Sequence, residues 1–161
     1  MDIWLTILGG VLGIAGAFAG AWLANRYERR GQREQEKRDS TIKLYEEFQS
    51  PDTLQARIVA RSVFTENLKK DCPLTINEMR ENLDPVQWHA VSVVITFFER
   101  LGVLLKNDYL DQKLTKSLFA YDFSWWYGSY IERFVKEDDK IEAAWGQYIE
   151  YASRWLTMEK R

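Results

Sequence analysis

One histidine and one cysteine are all the soft-ligand chemistry this chain offers. His89 follows Trp88 and shares a helix side with Ser92, Val93, Thr96 and Arg100. A general base there needs a second group within hydrogen-bond reach, and no motif supplies one, so a structural or surface role is expected for it. Glu99 follows two phenylalanines and precedes Arg100; burial would raise its pKa or demand an arginine partner, but an outward or paired carboxylate is the simpler expectation. Cys72 alone excludes an intramolecular disulfide, and one Cys with one His leaves no clustered soft metal site. No P-loop, dinucleotide fingerprint, nucleophile elbow or zinc-protease signature is present. No catalytic residue, cofactor or metal is therefore expected. An enzyme or toxin-like effector using carboxylates that the sequence cannot pair remains an alternative.

Recognition chemistry is better represented. Residues 119–134 hold Phe119, Tyr121, Phe123, Trp125, Trp126, Tyr127, Tyr130 and Phe134, more aromatics than one face of a helix can bury. Trp125, Trp126 and Tyr127 are consecutive and point in different directions, so Trp125, Trp126, Tyr127 and Tyr130 are candidates for a protein-partner surface; the competing reading buries the segment all round. The second group is basic. Arg26, Arg29, Arg30, Arg33, Lys37 and Arg38 stand against Glu28, Glu34 and Glu36, so residues 26–38 carry +3, whereas the whole chain carries −2. Arg26, Arg29, Arg30 and Arg33 are the expected lipid-headgroup residues. A nucleic-acid partner is not expected, because the positive charge is not on the folded domain.

What positions that basic run is the stretch Ile3 to Ala24, twenty-two residues without a charge. As a helix it reaches roughly 33 Å, enough for a hydrocarbon core of about 30 Å. Trp4 and Trp22 lie where interfacial aromatics belong, about 27 Å apart. The expectation is one transmembrane helix over residues 1–25. Only Asp2 and the terminal amine precede it and arginines follow it, so the N-terminus is expected outside a bacterial inner membrane and the rest in the cytoplasm. A cleaved signal peptide competes through Ala17-Phe18-Ala19, yet the basic cluster is on the wrong side for one. Gly9, Gly13, Gly16 and Gly20 step by four, three and four along one face and are candidates for close helix association, as a homo-oligomer or with a partner membrane helix; lipid-facing glycine is the alternative.

Residues 26–38 read as a basic juxtamembrane segment, and residues 39–161 as one cytoplasmic helical domain. Whether the first helix runs on unbroken or restarts at Asp39-Ser40-Thr41, before Ile42, Tyr45 and Phe48, is open. Ser50-Pro51-Asp52 starts a helix with Leu54, Ile58, Val59, Val63 and Leu68 as its apolar positions. Thr75 to Glu78 has capping-box spacing. Asp84-Pro85 opens the most apolar helix expected in the cytoplasmic domain, in which Trp88, Val91, Ile95, Phe98, Leu101 and Leu105 form one stripe that Val94, Phe97 and Leu104 widen. Asp111 caps a helix through Leu114, Leu118, Tyr121 and Trp125 to about Val135. After a break at Glu137-Asp138-Asp139, the last helix places Ile141, Trp145, Tyr148, Ala152 and Trp155 on one side. No stretch alternates like a strand, so an all-α fold is expected: one membrane helix and a bundle of about five.

The segments YEEFQSPDTLQAR, VVITFFERLGVLLKNDYLD and FSWWYGSYIERF resemble an uncharacterised family of small bacterial and phage-borne domains, often tethered by one N-terminal membrane helix. The resemblance runs from about Ile42 to Trp155 and implies a helical fold and membrane tethering, with no catalytic set to carry over. Together these readings point to a single-pass, self-associating interaction or regulatory protein. A phage exclusion or defence factor at the inner membrane is the alternative from the same class of location.

Overall fold

The computed structural model describes the backbone of residues 2–137 and 144–157. Side chains are described from residue 20 onward, apart from 21, 23, 24, 136, 137, 144, 145 and 157. All described elements are helical: α1 (Asp2–Phe48), α2 (Pro51–Leu68), α3 (Ile76–Asn82), α4 (Pro85–Lys106), α5 (Gln112–Trp126), a π-helical turn (Tyr127–Ile131), α6 (Glu132–Glu137) and α7 (Ala144–Thr157). The chain divides into two units, Met1–Lys37 and Arg38–Arg161. No break occurs at Asp39-Ser40-Thr41, because that stretch is helical from end to end. Thr41 is instead buried, and its hydroxyl accepts a hydrogen bond from the Asp111 amide at 2.9 Å.

Local chemistry sets the element starts of the second unit. Ser50 accepts from the Thr53 amide at 3.3 Å with Pro51 at the first helical position, and Asp84 accepts from the Val86 and Gln87 amides at 2.9 and 3.0 Å ahead of Pro85. Asp111 accepts from the Leu114 amide at 2.8 Å. Thr75 and Glu78 make a complete capping box: the Glu78 amide donates to the Thr75 hydroxyl at 3.2 Å, and the Thr75 amide donates to the Glu78 carboxylate at 2.8 Å. The Thr75 amide, together with the Thr75 hydroxyl donating to the same carboxylate at 3.0 Å, holds the Glu78 carboxyl below its ordinary value of 4.5. At the other end of α4, Asp108 takes the left-handed conformation (φ 58°), and the Tyr109 amide reaches back to the Leu104 carbonyl at 3.0 Å, closing the helix as a Schellman turn.

Helix α4 is the centre of the domain, packed chiefly against α7 and α2. Its buried row is Ala90, Val91, Val94, Ile95, Phe97, Phe98, Leu101, Gly102 and Leu105, which contains the expected stripe except for half-buried Trp88 and Leu104. The neighbouring helices are turned from the expected faces. On α2 the buried residues are Thr53, Ala56, Ala60, Val63, Phe64 and Asn67, while Leu54 and Ile58 are 45% and 57% exposed. On α5 they are Thr115, Phe119, Phe123 and Trp126, and Tyr121 is 83% exposed. On α7 they are Ile149, Ala152, Ser153 and Leu156, with Tyr148 and Trp155 half-buried; Ile141 and the Trp145 side chain lie outside the described residues. At the end of α1, Leu44 and Phe48 are buried and Ile42 is not.

One cause runs through these corrections. Small residues on the seam, Ala56, Ala60, Ala90, Gly102 and Ala152, let the helices approach, and the larger side chains flank them. The extreme case is Gly102, where a Cβ would stand 2.0 Å from the Tyr148 carbonyl oxygen. Buried polar groups on the same seams are satisfied locally. Thr115 donates to the Asp111 carbonyl at 2.7 Å, and Asn67 holds the Leu74 backbone through two bonds of 2.9 Å, donating to its carbonyl and accepting from its amide.

Two outcomes follow from this packing. Gly102→Ala gains roughly 1 kcal/mol in helix propensity but forces a methyl onto backbone, at a cost of about 1–3 kcal/mol or more. The clash wins, so thermal unfolding followed by circular dichroism should show a clearly lower melting temperature; a temperature at or above that of the wild type contradicts the close approach. For Glu78 the folded pKa is depressed, so its contribution is present above pH 4.5 and lost as pH falls through the folded value. Glu78→Ala should melt lower than the wild type at pH 7, with the gap closing as the pH is taken below 4; a gap that is constant with pH would show that the carboxylate charge contributes nothing.

Candidate functional site

Residues 22–33 of α1 carry four arginines against one acid, Glu28. At about 100° per residue, Trp22, Arg26, Arg29, Arg30 and Arg33 fall within roughly a 100° arc of one helix. They line, with Asn25, an open groove of about 530 Å³. The Arg26 guanidinium stands 5.3 Å from the Trp22 ring centroid, and Arg29 Nε donates to Asn25 Oδ1 at 3.0 Å. Trp22 is 61% exposed. Of the acids in the run, Glu28 is about 120° round the helix from Trp22, Glu34 is turned to Lys37 at 3.9 Å, and Glu36 falls on the arginine side about one turn beyond Arg33, outside the groove lining. All four arginines singled out from the sequence thus share one surface.

Of the glycine row, Gly20 faces open space, with nothing within 4 Å of the position its Cβ would take. The surroundings of Gly9, Gly13 and Gly16 lie outside what is described.

The aromatic segment divides. Trp126, at 3% exposed, is core: its ring meets Phe64, Phe98 and Tyr130 at 6.5, 6.4 and 5.4 Å, so it offers a partner no surface, which corrects its place among the surface candidates. Tyr127 stacks on Phe123 at 5.8 Å. Tyr130 stacks on Phe64 at 5.8 Å, and its hydroxyl accepts from Thr65 at 3.5 Å. Trp125 meets Tyr130 edge-on at 5.4 Å, and the Arg61 guanidinium of α2 lies 5.3 Å from its ring centroid. Trp125, Tyr127 and Tyr130 are half-buried, so each keeps one edge in solvent. Trp126 continues the buried row Thr115, Phe119 and Phe123 of α5, and the extra residue admitted by the π-helical turn carries the next buried position to Ile131, five residues on.

Three features were not singled out from the sequence. Arg57 lies 3.9 Å over the Phe48 ring with its Nε buried and without a hydrogen-bond partner; burial pushes its pKa down, against the raising influence of Asp122 and Tyr45. Arg100 pairs with Glu47 across α4 and the end of α1. That pair rims a groove of about 240 Å³ lined also by Thr53, Ser92, Val93, Thr96 and Phe97. Periodicity is blind to such pairs, since the partners lie 53 residues apart.

His89 is exposed and Glu99 half-buried, and neither lines that groove. Cys72 is an exposed free thiol. Among the described residues, no three His, Cys, Asp or Glu come together as a metal-binding group. The helix among them that is long and apolar enough to cross a membrane is α4, half of it buried inside the domain.

No curated protein and no solved structure matches the chain. The profile of a domain of unknown function, DUF4760, matches residues 10–155. That span begins within the uncharged N-terminal stretch, upstream of Ile42, and takes in α2 to α6 and nearly all of α7. Covering most of the length, the match makes the chain a member of the DUF4760 family.

Proposed function

We propose that the chain is a single-pass membrane-tethered interaction protein, with residues 3–24 as the anchor, the N-terminus outside and the helical domain in the cytoplasm. The observation that carries the reading is the order along α1: an uncharged stretch of membrane-spanning length, an exposed Trp22, then four arginines on one face. The family span supports it by including part of that stretch. In the domain, the recognition surface is the solvent edge of Trp125 and Tyr130 with Arg61 beside it, a half-buried aromatic and guanidinium combination suited to a protein partner. Copies associate through the glycine row, whose steps of four, three and four permit backbone approach.

Topology is tested with a C-terminal reporter active only in the cytoplasm, together with carbonate washing of membranes. The reporter should be active and the full chain should stay in the pellet; a shortened chain in the periplasm overturns the anchor. Association is tested by energy transfer between two labelled copies of the full chain in one membrane. Gly13→Leu with Gly16→Leu should abolish the transfer while insertion is kept, whereas Leu12→Ile with Phe18→Leu should not. Equal signals from both pairs, or none from the wild type, remove self-association from the proposal.

A further inference from the structure

We infer that the Trp22–Arg33 face of α1 is a binding site for the phosphate of anionic phospholipid headgroups, a selective contact beyond general attraction to a charged surface. The inference rests on the anchor reading above. Guanidinium groups bind phosphate oxygens through paired N–H donors, and four of them here line one groove instead of being spread round the helix. An exposed indole at the start of the groove suits the headgroup level, where its apolar ring and N–H both find partners. The groove runs over twelve residues from Trp22 to Arg33, about 16 Å of helix, which is longer than a single ion needs.

Two arrangements favour lipid as the source of the phosphate. No acid lines the groove, so an anion there meets no carboxylate. By residue spacing, Gly20 lies about 160° round α1 from Trp22, and the space over it is open. The arginines therefore point away from the small-residue side. A helix that associates through its glycines keeps this face turned to surrounding lipid.

The test uses the full chain in detergent, equilibrated with equal amounts of phosphatidylglycerol and phosphatidylcholine, with retained lipid counted by mass spectrometry. At roughly fivefold per basic side chain near an anionic surface, the wild type should retain phosphatidylglycerol at least tenfold over phosphatidylcholine. The variant Arg26→Gln, Arg29→Gln, Arg30→Gln, Arg33→Gln should fall to the input ratio, and Arg80→Gln, which removes an exposed arginine of α3, should not. Carbonate washing of both chains runs alongside. A chain that stays in the membrane pellet yet retains the two lipids equally overturns the headgroup site and leaves the anchor standing. A chain that washes out overturns both. Displacement of the bound lipid by millimolar inorganic phosphate would assign the groove to soluble phosphate and overturn the lipid assignment.

Discussion

The domain depends on two helices meeting at backbone distance. At Gly102 there is no room for even a methyl group before the Tyr148 carbonyl, so α4 and α7 are fixed by the absence of a side chain rather than by the fit of two. That approach sets where everything else on α4 must stand. Phe97, Phe98 and Leu101 are carried to the depth at which Phe48, Phe119, Phe123 and Trp126 close around them, with Phe97 and Phe98 each in aromatic contact with Phe48. The aromatic rings meet at tilted or edge-on angles in most of these contacts, the geometry their quadrupoles prefer. A core of this kind is built from few, large pieces, and its helices have little freedom to slide.

Element starts were legible in the sequence because capping is local: Ser50, Thr75, Asp84 and Asp111 each satisfy amides two or three residues on, and no distant contact is needed to recognise them. The stripe on α4 was legible because the helix is apolar enough to leave little choice of face. The faces of α2, α5 and α7 were not. Periodicity ranks residues by hydrophobicity, so it selected Leu54 and Ile58 over Ala56 and Ala60, yet close packing selects for size and put the alanines inside. Threonine misled it in the same way, since Thr41 and Thr115 count as polar until the distant amide or local carbonyl that satisfies them is known. For the candidate site, the arginine face of α1 follows from spacing along one helix. The burial of Trp126 continues the α5 row Thr115, Phe119 and Phe123, which the expected stripe through Leu114, Leu118 and Tyr121 passes over; beyond it a π-helical turn resets the register that a 3.6-residue wheel assumes.

Charge is distributed to match this division of labour. The arginines of residues 26–33 are gathered on one side of α1, with Arg26 at the Trp22 ring, and Arg57, Arg61 and Arg100 in the domain are each placed over an aromatic ring. In the domain the guanidinium groups act partly as flat covers for the aromatic core, a role lysine would fill poorly. Arg57 shows the limit of the device: its stem and Nε are taken out of water while its partners remain a ring and the field of Asp122.

The position of α4 in the chain also bears on how the protein is made. One of its two chief covers, α7, begins at Ala144, whereas α4 has ended at Lys106. At a synthesis rate of about 5–20 residues per second, the interval between them lasts roughly 2–8 s. During that interval the nascent chain exposes a helix whose length and composition suit a bilayer as well as a protein interior. Glu99 and Arg100 weigh on this choice. An arginine at the centre of an inserting helix opposes insertion by about 2.5–3.5 kcal/mol, whereas folding against the already synthesised end of α1 gives Arg100 the Glu47 carboxylate as a partner. The two charges thus weigh toward a protein interior rather than a bilayer for this helix.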